Sequence, residues 1–182
     1  SSGKAVERVF SELRGKRVPI MLDLELPTRQ NPLLYFSEWL FFWKNKARIR
    51  QFVNKYRGKV YLVEYYPQGR LQEKLLYLLG VHYDSRKVFV MKMLYRSLHH
   101  FSDNSFRNAL RTGIGEFDGR FIVGLGTIAR GIHGTESILS YVQLEQDLKV
   151  SQDCGVKEVV IFRLGGVNQE YVKVLDEFYE EK

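Results

Sequence analysis

Apolar and polar positions change period several times along the chain. Val6, Val9, Phe10 and Leu13 recur at helical spacing, which predicts a helix over Lys4–Leu13 closed by Gly15. The stretch from Val18 to Pro27 then switches to period two. Ile20, Leu22, Leu24 and Leu26 fall on one face, and Met21, Asp23 and Glu25 on the other. Asn31-Pro32 opens a second helix, apolar nearly all round to Trp43, then amphipathic to about Tyr56 and stopped by Gly58. Lys59–Pro67 reads as a strand, Leu71–Leu79 as a short helix and Lys87–Arg96 as the third strand. Ser102-Asp103-Asn104 caps a helix to about Arg111. Arg120–Thr127 is the fourth strand, Glu136 to about Gln152 a helix, Lys157–Leu164 the fifth strand and Gln169–Glu180 the last helix.

Strands and helices thus alternate five times, the signature of βα units and a parallel sheet. With right-handed crossovers the carboxyl ends of all strands collect on one edge, where α/β proteins bind ligands. That edge receives Asp23, Glu25, Glu64, Tyr66, Tyr95, Arg96, Thr127, Arg130, His133 and Arg163. Same-face neighbours on a strand lie roughly 6.5–7 Å apart, so Asp23 and Glu25 can act on one substrate, or one can raise the pKa of the other. Alternatively, both are exposed acids on a turn. Arg163, in phase with Val159 and Ile161, would be an inward charge needing a carboxylate such as Asp23 or Glu25. Lys92 alternates with Met93 and Tyr95 and would face the helix layer, its stem snorkelling.

Composition narrows the classes. At 182 residues, 45% hydrophobic and 14% aromatic, the chain suits a single α/β domain with a real core. The net charge of +7 permits an acidic partner without demanding one. One cysteine, Cys154, excludes an internal disulfide and a cysteine-based zinc site, and the four histidines lack metal-ligand spacing. The most apolar window, Pro32–Trp43, is shorter than the ~20 residues a bilayer span needs, so no membrane association is expected.

Cations from Lys44 to Arg57 offer a nucleic-acid or phosphate patch, or alternatively a solvated helix face. Gly124-Leu125-Gly126 lacks the third glycine of a dinucleotide loop and instead leaves room for a ligand or a large neighbour. No cofactor motif is present, and none is expected.

Asp23-Leu24-Glu25 resembles the end of the Asp-x-x-Asp-x-Asp-x-Glu motif of chitinase-like glycosidases, glycoside hydrolase family 18. Met93-Leu94-Tyr95 resembles the Met-x-Tyr of a later strand in that family, and Val159–Arg163 is similar in placement to its eighth strand. Val18 and Met21 stand where the motif's earlier acids would fall, and Phe162 and Arg163 where a tryptophan usually floors the sugar site. The resemblance implies a (β/α)8 barrel of which this chain supplies strands four to eight. Glu25 would be the general acid, Asp23 its partner or an anchor for a substrate amide, and Tyr95 an aid to substrate-assisted hydrolysis. Glu64, Tyr66, Arg96, Arg130 and Arg163 complete the expected substrate contacts.

A barrel needs roughly 250 residues, so on this reading three units precede Ser1, on the same gene product or a partner chain. The alternative is an open doubly wound sheet. The functional expectation is a glycan-cleaving or glycan-binding protein; the alternative is a non-enzymatic basic module that binds nucleic acid or a protein partner.

Overall fold

The computed structural model describes residues 3–23, 44, 46–65, 74, 85–96, 101–129 and 137–180. The described elements are α1 (Gly3–Leu13), β1 (Ile20–Asp23), α2 (46–55), β2 (Val60–Tyr65), β3 (Val88–Met93), α3 (Asp103–Phe117), β4 (Phe121–Thr127), α4 (Tyr141–Asp153), β5 (Val159–Phe162) and α5 (Gln169–Glu180). The five strands form one all-parallel sheet in the order β1-β2-β3-β4-β5. The fold class is therefore the α/β parallel sheet of consecutive βα units expected from the alternation. Strand order follows chain order without reversal, as in successive units of a barrel; a doubly wound sheet reverses at a switch point.

The chain divides into two compact units, Ser1–Val90 and Met91–Lys182. In the first, α1 ends where Gly15 takes φ +81°, a conformation only glycine adopts without cost, and Lys16 N–H bonds back to Leu13 O. Phe10 of α1 lies flat on Phe52 of α2, with ring centroids 3.9 Å apart and planes 3° from parallel. β1 pairs with β2 in the register Ile20↔Val60 to Asp23↔Val63. Ile20 and Leu22 are half-buried while Met21 and Asp23 are exposed, as period two predicts. Val53, Val60, Leu62, Val63, Val88 and Val90 are buried in this unit.

In the second unit each described α-helix opens on a side-chain cap. Ser102 Oγ accepts from Ser105 N–H, Ser140 Oγ from Gln143 N–H, and Asn168 Oδ1 from Glu170 and Tyr171 N–H. The apolar faces of α3 and α4 bury Phe106, Leu110, Phe117, Leu144 and Leu148, and β4 buries Ile122, Val123 and Leu125. α3 runs on to Phe117, six residues beyond the end expected at Arg111. Gly113 lies within it, where the Phe121 ring stands 2.2 Å from the ideal position of a β-carbon and leaves no room for one. α4 begins at Tyr141 rather than Glu136, where the Ser140 cap sets its first turn.

Candidate functional site at the strand ends

β1 ends in Asp23, opposite Val63 of β2. Paired residues of parallel strands point to the same side of a sheet, so Asp23 shares a face with Met21, Tyr61 and Val63. Asp23 is exposed as a residue, but the protein around its carboxyl removes enough water to raise the pKa above the ordinary carboxylate value. Glu64 alternates onto the other face, with Val60 and Leu62, and is only 2% exposed. The expectation that Asp23 and Glu64 meet one ligand in a single concavity is corrected by this register: the two carboxylates leave β2 and its neighbour on opposite faces. Glu25, Tyr66, Arg130 and His133 lie outside the described residues, as does the helix expected over Leu71–Leu79 apart from Lys74.

In the second unit, Tyr95 follows β3 and is 8% exposed. A β-carbon on Gly124 would come 3.1 Å from its ring, so the room left by that glycine is taken by a large neighbour. Phe162 lies 6.4 Å from Tyr95 between centroids and is itself exposed. Gly126 takes φ +132° where β4 takes three steps, from Gly124 to Thr127, against the two steps from Val160 to Phe162 in β5. That irregularity is a bulge-like shift that requires glycine at the strand end. The two glycines therefore have separate physical causes, a packed ring at Gly124 and a register shift at Gly126.

Arg96 donates from Nη1 to Asp147 Oδ1 at 2.9 Å and from Nη2 to Asp103 Oδ1 at 2.7 Å. Its guanidinium carbon sits 5.6 Å from the centroid of the Phe106 ring. Both of its terminal nitrogens are thus engaged within the protein, and the expected substrate contact is instead a clasp joining the segment after β3 to α3 and α4. Asp147 is fully buried, and its Oδ2 has no hydrogen-bond partner among the described residues. Burial pushes its carboxyl up to about 6, while the Arg96 guanidinium pulls the other way. Arg163 is exposed, which corrects the inward buried charge expected for it. β5 ends at Phe162, so alternation counted from Val159 and Ile161 no longer governs the next residue. Lys92 is buried, with its ammonium 5.2 Å from the Phe117 ring of α3, on the helix side as expected.

Sequence reasoning missed Asp147. The signal was present: Leu144, Asp147, Leu148 and Ser151 fall on one stripe of α4, so an acid and a hydroxyl occupy core positions. Ser151 resolves its own burial by donating to Asp147 O at 2.7 Å. Among the described residues no group of three or more His, Cys, Asp or Glu could hold a metal ion, and no helix is long and apolar enough to cross a membrane. Compared with known proteins, the chain matches no family model, no curated protein and no solved structure.

Proposed function

We propose that this chain is a glycan-directed α/β protein of the glycoside hydrolase type, working through Asp23 and Glu25. The observation that carries the reading is Asp23 at the carboxyl end of a parallel strand, with burial raising its carboxyl pKa. Ligands of parallel α/β folds bind beyond strand carboxyl ends. A carboxyl whose neutral form persists toward higher pH is suited to share a proton with a second acid two residues on. On this reading Glu25 protonates the glycosidic oxygen while the substrate's own amide oxygen attacks the anomeric carbon and the C–O bond breaks; water then opens that cyclic intermediate and returns a proton to Glu25. Asp23 holds that proton in place before the step and orients a substrate amide during it. Tyr95 is the weakest member of the set, since its ring is packed against Gly124.

Chitooligosaccharides with a chromogenic leaving group are the direct probe. The wild-type chain is expected to release the chromophore. Glu25→Gln is expected to lower the rate by about 10²–10⁴, the worth of a general acid, with an unchanged circular dichroism spectrum. A variant within about threefold of wild type removes Glu25 from the mechanism. A wild-type chain that neither cleaves nor binds the oligosaccharide overturns the glycan reading.

A further inference from the structure

The described helices of the N-terminal unit enclose an open cleft of about 1310 Å³ between α1 and α2. Its lining includes Arg8, Arg14, Lys16, Arg48, Lys55 and Arg57 against a single carboxylate, Glu7. Six cations less one acid leave an excess of five, out of the +7 carried by the whole chain. Two of the six are neutralised locally: Arg8 pairs with Glu12 at 3.1 Å and Arg48 with Glu7 at 2.9 Å. Arg14, Lys16, Lys55 and Arg57 are exposed and form no ion pair among the described residues.

These four cations sit at the carboxyl ends of α1 and α2, where cations complement the helix dipole. Each helix end presents about −0.5 of a charge, roughly −1 for the two. Four positive charges exceed that by about three, more than dipole compensation uses. The surplus is also held in place. Tyr56 donates its hydroxyl to Val18 O at 2.8 Å, and Ile20 N–H bonds to Lys59 O at 3.0 Å. Gly58 lies so close that a β-carbon there would come within 2.6 Å of Val18 O. The segments that carry Lys16 and Arg57 are therefore fastened to each other. The floor between them is aromatic: Phe10 stacks on Phe52, and Phe52 on Tyr56 with centroids 5.0 Å apart. All three rings are half-buried, so each keeps some surface open.

We propose that this cleft binds single-stranded nucleic acid, with phosphates on the Arg14, Lys16, Lys55 and Arg57 rim and bases against the Phe10–Phe52–Tyr56 floor. A fastened cationic rim over aromatic rings is the combination that holds single strands without sequence preference. The rim lies where α1 and α2 lead into β1 and β2, at the amino edge of the strands, whereas Asp23 lies at the carboxyl edge of β1. The site is thus separate from the proposed glycan site and stands whether or not that reading holds.

Fluorescence anisotropy with a labelled 20-nucleotide thymidine oligomer tests it. Four phosphate contacts predict a slope of log K against log salt of about −3. Arg14→Glu with Lys55→Glu is expected to weaken binding at least tenfold and to reduce that slope by about half. Lys149→Glu with Lys173→Glu, exposed positions on α4 and α5, makes the same change in net charge and is expected to stay within twofold. An abasic oligomer of equal length is expected to bind about fivefold weaker or more, since each stacked base contributes. Equal weakening by the two double variants, or none by the first, overturns the cleft as the site. Equal binding of the abasic oligomer, or of polyphosphate of the same charge, overturns nucleic acid as its occupant. Thermal unfolding of each variant separates lost binding from lost fold, and Arg14→Gln with Lys55→Gln serves if the reversals unfold.

Discussion

The two units treat charge in opposite ways. In Met91–Lys182 three charged side chains are drawn in and engaged: Arg96 joins buried Asp147 to Asp103 over Phe106, and Lys92 caps the Phe117 ring. In Ser1–Val90 four cations at two helix ends are exposed and form no ion pair with a described acid. An ion cluster sealed in a core specifies packing and is not free to meet a ligand. Unmatched charge on a fastened surface contributes little to folding and is available to a partner. Arginine is abundant in both units, so its presence alone does not distinguish the two roles; burial and pairing do.

The sharpest way to break the contrast is to remove the clasp. Arg96→Met keeps the length of the side chain but leaves Asp147 buried with neither oxygen bonded. Breaking a buried pair from one side is expected to cost about 3–5 kcal/mol in urea unfolding at pH 8. The loss should shrink at pH 5, because Asp147 then escapes by taking up a proton. A loss under about 1 kcal/mol at pH 8 would place the clasp among ordinary surface pairs.

That clasp also marks where the sequence was legible and where it was not. The succession of short apolar runs and helical stretches reveals all five strands, although period two shows clearly only in β1; β4 is buried on both faces and reads as a continuous apolar run. Helix ends were less legible. The helix expected to end at about Arg111 runs on through Gly113 and Gly115 to Phe117, with the Phe121 ring packed into the space beside Gly113. At the strand ends Asp23 was legible as the exposed member of an alternating strand. Arg96 was legible as a charge at a strand end but not as a bonded one, since Asp147 lies 51 residues away. Nothing local couples two such positions; only the acid on the apolar stripe of α4 signals that a cation must come to it. Arg163 was misplaced for a simpler reason: alternation was extended one residue past the end of β5.

The protonation of Asp147 gives a second, somewhat smaller effect. Its pKa is about 6 in the folded chain against the ordinary 3.8 when unfolded. Between those values the folded state binds more protons, so stability falls as pH rises from about 4 to 6 and is level above that. The difference of about two pKa units corresponds to roughly 3 kcal/mol. Asp147→Asn keeps an acceptor for Arg96 and has no proton to exchange, so its stability should lose this slope. A wild-type chain whose stability rises across the same window would show that Arg96 outweighs burial and holds Asp147 ionised.

The smallest effect is expected where the comparison predicts that charge is spare. Arg14→Gln with Lys55→Gln removes one cation from each helix end of the cleft. If these side chains serve the helix dipoles, each loss costs about 0.3–1 kcal/mol at low salt. If they are surplus, Lys16 and Arg57 still answer the two dipole ends, and the variant also loses repulsion among four like charges. The change in stability should then stay within about 0.5 kcal/mol, the range of surface substitutions that touch nothing. Salt sharpens the distinction, because it screens attraction and repulsion alike. Added salt should stabilise the wild type more than the variant if repulsion dominates the cleft, and less if dipole attraction does. The first outcome, joined to a large loss of oligomer binding in the same variant, would mean that the N-terminal unit carries charge its own fold does not use.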